Sequence, residues 1–223
     1  KKISSLIIEA GDEEYSETSQ EDYKSTVIGD EITDLRYSRL RQFGGTSGHW
    51  GGWCKPIEEW NLKNWHIDPI EISKYSHEAD YILNINSEFK KSKINKNFNQ
   101  IQFQYSDVRF ADKYKDHIKE SKIIDLCLNS QISHFEGENG KIKKAKIFSN
   151  KKEFSIESKF FVLACGGVEN SRILLWTKEK NFNLLNPELP IGKYWMTHPW
   201  ILAGVGFLKK KKVKKLLKDE FIN

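Results

Sequence analysis

Arg41-Gln42-Phe43-Gly44-Gly45-Thr46-Ser47-Gly48-His49-Trp50-Gly51-Gly52 is the stretch on which the reading of this chain turns. Five glycines in nine positions, with two hydroxyls and a histidine among them, exclude a helix or an ordinary strand. Glycine costs the interior of either element about 0.5–1 kcal/mol relative to alanine, so a cluster implies a backbone that has to stay bare. Bare backbone offers N–H groups to an anion, or lets a flat ring lie close against the chain. The segment reads as a cofactor cradle.

Working outward, Ile3 to Ala10 is a short apolar run stopped by Gly11, the pattern of a buried parallel strand. Residues 12–35 are acidic and polar and read as a loop, and Pro56 closes the glycine segment. From Glu71 onward Ile72, Tyr75, Ala79, Ile82 and Leu83 recur every three or four residues, which predicts an amphipathic helix opened by Asp68-Pro69. Residues 90–104 are rich in Lys, Asn and Gln without a period and read as an exposed connection. The runs at 123–128, 132–135, 142–148, 154–156 and 159–164 are short strand candidates. Breaks at Glu138-Asn139-Gly140 and Ser149-Asn150-Lys151 suit hairpin turns, so an antiparallel meander is expected to feed a final apolar strand, Phe160–Ala164. That strand runs into Cys165-Gly166-Gly167 and a helical stretch, Val168 to Thr177. Strand, glycine pair and helix together point helix N–H groups at a ligand.

Composition narrows the function classes. The chain has 223 residues, 38% of them hydrophobic, and no run of about 18 apolar residues that would cross a membrane. A net charge of +5 is spread over scattered Lys and Glu, without the basic face and interleaved aromatics of a nucleic-acid binder. The basic run from Lys209 to Lys218 reads as a solvated face, with a lipid-seeking helix as the alternative. Cys54, Cys127 and Cys165 are widely spaced and odd in number; they read as reduced, buried thiols of an intracellular, cytoplasmic protein, and no metal-ligand cluster is visible.

Five blocks in order carry a resemblance to the glucose-methanol-choline oxidoreductases, FAD-dependent enzymes that oxidise alcohol groups. They are Leu6–Gly11; Arg41-x-x-Gly44-Gly45-Thr46-Ser47; Trp65-x-Ile67 through Glu78-Ala79; Phe161 to Leu175; and Ile191 to Pro199. The resemblance implies an α/β (α+β) fold: an FAD/NAD(P)-binding Rossmann-like domain with a β-meander, plus part of a substrate domain. Residues 1–56 and 120–182 would belong to the FAD domain, and 57–119 and 183–223 to connecting and substrate-domain segments. Two family features have no counterpart in these residues: the opening Gly-x-Gly-x-x-Gly turn and the late catalytic His with its His or Asn partner. The sequence therefore looks like the middle of such an enzyme, with its catalytic residues unassigned.

The resemblance also implies roles. Glu9 would accept hydrogen bonds from the adenosine ribose, with a solvated strand-end Glu as the plain alternative. Gly44, Gly45, Thr46 and Ser47 would meet the pyrophosphate and flavin edge, and Arg41 would add charge or sit in a surface ion pair. His49 falls where some family members carry a flavin-linked histidine; the alternative is a neutral His bonded to cofactor or backbone. Trp50 and Gly51 would lie near the ring, core packing being as good a reading for Trp50. Ala164, Gly166 and Gly167 would allow close passage of the chain, while Glu169, Asn170 and Arg172 read as helix-start residues. His198 gains no catalytic role from the match. The expected activity is hydride transfer from a sugar or polyol to FAD, with a separate electron acceptor. The alternatives are a non-catalytic FAD-binding remnant and, last, a nicotinamide-dependent dehydrogenase.

Overall fold

The computed structural model of the chain describes residues 3–29, 34–63, 65, 67–86, 88–93, 96, 99–196, 202, 204, 205 and 207; His198 and the basic run from Lys209 lie outside them. Among these residues the protein is mixed α/β, built of small sheets and short helices.

The branched run Leu6-Ile7-Ile8 forms strand β1, Ser5–Ile8. The polar stretch after it is not all loop. Ser16 caps helix α1, Glu17–Gln20, accepting from the Ser19 N–H at 3.3 Å, and the chain continues into a 3-10 turn at Glu21–Tyr23. The glycine ribbon contains a second 3-10 turn, Gly45–Gly48, and leads to the two-residue strand β2, Trp53–Cys54, and helix α2, Glu59–Leu62. The helix expected from Glu71 is two helices, α3 at Pro69–Ser73 and α4 at Ser76–Leu83. Asp68 does open the first, its carboxylate accepting from the Ile70 N–H at 2.9 Å. Tyr75, at φ -96 and ψ 0, turns the chain between them, which the unbroken apolar spacing conceals.

Residues 90–104 hold strands β3 (Lys91–Lys93), β4 (Asn99–Ile101) and β5 (Gln104–Tyr105), where the sequence suggests only a connection. β3 pairs with β4 and β5 with β2, both antiparallel. Helix α5, Phe110–Glu120, follows; Phe110, Tyr114 and Ile118, four apart, form its apolar stripe.

Strand β6, Ile124–Cys127, corrects the expected meander. It leaves the hairpins and pairs in parallel with β1, from Ser5 beside Ile124 to Ile8 beside Cys127. The meander itself is β7 (Ser130–Glu138), β8 (Lys141–Ser149) and β9 (Lys152–Glu157). Its turns fall at the expected breaks. Asn139-Gly140 has φ of 52 and 70, and Asn150-Lys151 has 49 and 61, the doubly left-handed geometry that matches strand twist.

Helix α6, Gly167–Lys180, lies on β7 and closes the core, where Phe135, Ala145, Ile173 and Leu184 are buried. A register shift after Ile132 disturbs the β7 ladder, and the Phe135 N–H bonds instead to Thr177 Oγ1 at 3.0 Å. The same hydroxyl donates to the Ile173 carbonyl at 2.8 Å, so fully buried Thr177 satisfies both of its roles.

The expected final strand is a second correction. Phe160–Ala164 carries no ladder among the described residues. It keeps the two-residue alternation all the same: Phe161 and Leu163 pack on the core, whereas Phe160 and Val162 are 79% and 86% exposed. The side chains find an inner face, but no neighbouring strand takes up the backbone.

Candidate functional site

The C-terminal end of β1 gathers the motif residues. Asp12 forms a parallel bridge with Gln42, and the Phe43 N–H donates to the Asp12 carbonyl at 2.8 Å. A Cβ on Gly11 would lie 2.2 Å from the Arg41 carbonyl oxygen, so glycine is required for β1 to run against the ribbon this closely. From the other side, Arg39 Nη1 lies 3.6 Å from the carboxylate of Glu169 in the first turn of α6. Of the three thiols expected to be buried only Cys54 is; Cys127 is half-buried and Cys165 exposed, although the Cys165 pKa is raised first by desolvation, then by the Glu169 and Glu9 carboxylates. Glu9, the ribbon's leading arm and the turn before α6 thus share one neighbourhood.

Glu9 itself is half-buried, and its carboxylate accepts from the Gly11 N–H at 2.7 Å. Burial pushes its pKa above the ordinary carboxylate value, partly offset by that hydrogen bond and by the Arg41 charge. Arg41 is buried, and both of its terminal nitrogens are engaged within the chain. Its guanidinium reaches Ser19 Oγ at 2.5 Å, Gln131 Oε1 at 2.8 Å and Asp22 at 3.1 Å.

The ribbon glycines divide into two kinds. Gly44, at φ +89, packs on α5, where a Cβ would lie 2.7 Å from the Ala111 Cβ. Gly45, at φ +56, would carry a Cβ with nothing within 4 Å, so that side of the backbone faces open space, while its N–H is taken by the Gln42 carbonyl at 2.7 Å. Gly166, at φ +81, is open in the same way, and Ala164, Gly166 and Gly167 are all exposed. Thr46 and His49 also present exposed side chains. Ser47 is occupied: its hydroxyl donates to the Gly44 carbonyl at 2.7 Å and accepts from the Phe110 N–H at 3.2 Å, capping α5 from a distant part of the chain. Trp50 donates through Nε1 to the Val108 carbonyl at 3.0 Å, which ties its ring to the protein. Gly51 is exposed, its nearest neighbour the Trp53 ring. Asn170 does act at the helix start, its Oδ1 accepting from the Cys165 N–H at 3.0 Å and its Nδ2 donating to the Leu163 carbonyl at 3.3 Å.

What sequence reasoning missed is the support behind the ribbon. Residues Ser19 to Tyr23 face Arg36 to Arg41, with Glu21 paired to Arg36 at 2.6 Å and the Arg39 guanidinium 4.0 Å above the Tyr23 ring. Alternating acids and arginines hint at the ion pairs; buried Gln20 gives no signal in sequence. Beside the ribbon, an open apolar hollow of about 330 Å³ is lined by Ile7, Phe43, Gly44, Phe110, Tyr114 and Ile118. Among the described residues no group of His, Cys, Asp and Glu is placed to hold a metal ion, and no helix is long and apolar enough to cross a membrane. Comparison with models of known protein families and with curated proteins finds no match to the chain.

Proposed function

We propose that this chain is the flavin-binding part of an FAD-dependent oxidoreductase acting on CH–OH groups, of glucose-methanol-choline type. The observation that carries the reading is that Glu9, the leading arm of the glycine ribbon and the turn before α6 share one neighbourhood near the C-terminal end of a parallel strand pair. In open α/β sheets that end is where dinucleotides are taken up. Among the described residues one edge of β1 carries no strand and the alternating run Phe160–Ala164 no ladder, which also suits the finer, Rossmann-like form of the fold, in which both belong to one parallel sheet.

The residues present fit such a dinucleotide in character. Gly45 and Gly166 are glycines that no neighbour requires, left-handed and open, where a flat or phosphorylated group can come against the backbone. Glu9 is a carboxylate at a strand end, suited to accept from ribose hydroxyls. The first turn of α6 would direct N–H groups at phosphate, and exposed Thr46 and His49 would add side-chain contacts along the ribbon. Arg41 and Ser47 would act by shaping the ribbon, since their polar atoms are committed within the chain. When bound, the flavin accepts the hydride that leaves the alcohol carbon; the protein binds and orients both partners. A sugar or polyol is the substrate class proposed, reoxidation falling to a separate acceptor.

The test is a visible spectrum of the intact gene product purified from riboflavin-replete cells. A yellow protein with flavin absorption is expected, and a folded, colourless one overturns the reading. Flavin retention without turnover of any alcohol would instead favour the non-catalytic alternative. Acid precipitation then addresses His49: FAD released freely into the supernatant rules out a covalent link.

A further inference from the structure

We propose that Gln20 is a positioning residue: its buried amide locks the Arg36–Arg41 segment and so holds the glycine ribbon at the end of β1. The lock stands on geometry alone; its bearing on the cofactor rests on the flavoprotein reading.

Gln20 is 2% exposed, on a short helix in a polar stretch where burial is not expected. Its Nε2 donates to the carbonyls of Arg36 and Arg39, the latter at 2.5 Å, and its Oε1 accepts from the Arg41 N–H at 3.0 Å. Two backbone acceptors and one backbone donor meet one amide, a set that neither a carboxylate nor an apolar side chain can satisfy. Each neighbour then adds a grip. Ser19 and Asp22 take the Arg41 guanidinium, Glu21 takes Arg36, and Tyr23 lies under Arg39. The Glu21–Arg36 pair lies at the rim and is individually weak, while the Arg41 guanidinium is buried. The amide is the member that fixes the path of the backbone, because removing it strands buried polar groups. Arg41 lies directly before the bridge of Gln42 to Asp12, just past the end of β1, so whatever fixes residues 36–41 also bears on where Gly45 is presented.

Trypsin cleaves after Arg36, Arg39 and Arg41, which places three reporter bonds within the lock. In the intact gene product, Gln20→Leu and Gln20→Glu are expected to raise cleavage at these bonds roughly tenfold or more, with sites at Lys152 and Lys178 unchanged. Glu21→Gln, at the rim, should change them less than about twofold. Where either Gln20 variant fails to fold, Ser19→Ala removes one grip and should give a smaller rise at the same three bonds. Unchanged cleavage in the Gln20 variants, or equal acceleration at Lys152 and Lys178, overturns the lock. With FAD, the Gln20 variants should bind roughly tenfold more weakly and alter the visible circular dichroism of the bound flavin. A loosened segment with unaltered flavin affinity and spectrum overturns the positioning role. A wild-type protein that never retains FAD sinks the flavoprotein reading instead, and proteolysis alone then decides the lock.

Discussion

Around Phe135 and Ile173 the chain covers its own apolar side chains; around β1 it leaves them in the open. The β7–β9 meander and α6 share one core, with Phe135 2% and Ile173 1% exposed and the Phe135 and Phe161 rings edge to face at 5.4 Å. β1, flanked among the described residues by β6 alone, shows Leu6 at 43% and Ile7 at 36% exposure. The same kind of apolar strand therefore has two fates. Where its neighbours are supplied by tight local turns, its inner face is buried, while Phe148 and Phe154 stay exposed on the outer one; where they must come from far along the chain, even the apolar run is half-covered and polar contacts hold the surroundings in place.

The sharpest way to break this contrast is to empty the closed half. Phe135→Ala should cost about 3–5 kcal/mol by urea unfolding, because both the lost burial and the cavity count against it. A cost under about 1 kcal/mol would mean that the meander is no better packed than β1. Next comes the ribbon itself. Gly44→Ala combines a left-handed backbone with a clash against Ala111 and should cost about 2–4 kcal/mol. Thr177→Val keeps the shape but leaves the Phe135 N–H unpaired, for about 1–3 kcal/mol. Gly45→Ala, strained but unobstructed, should cost only about 1 kcal/mol, with its larger effect on flavin affinity. Equal destabilisation by the two glycine variants would erase the distinction between a packed and an open ribbon backbone.

The smallest effect is a change of slope with pH. Burial raises the folded-state pKa of Glu9 above 4.5, so the folded protein holds that proton to higher pH than the unfolded chain does. Its contribution is intact below the unfolded value and is lost as pH rises through the raised one. Glu9→Gln should flatten this fall when urea midpoints are compared from about pH 4.5 upward. An unaltered profile would place Glu9 in water in the folded state.

The sequence was most legible where the physics is local. Asn139-Gly140 and Asn150-Lys151 mark the hairpins because few residues tolerate left-handed angles, and Asp68-Pro69 marks a helix start through one side-chain bond. The pairing of β6 is not legible, because its apolar run is like those of the hairpins and nothing within it says that Ile124 lies beside Ser5. Helix α5 was overlooked although Phe110, Tyr114 and Ile118 repeat at four. In the site, glycine content pointed to the ribbon, yet only the fold separates Gly44, needed for packing, from Gly45, free to face a ligand. Gln20 was illegible because an amide announces neither its burial nor its partners.

One feature governs how this protein will behave in the test tube. Among the described residues the run Phe160–Ala164 carries no ladder, and it sets Phe160 and Val162 outward in the same few residues. Such a border is a template for others of its kind, so concentrated or heated samples will begin to clump there before the hairpins come apart. A lysine introduced at Val162 should keep the material clear for longer while leaving its unfolding midpoint in place.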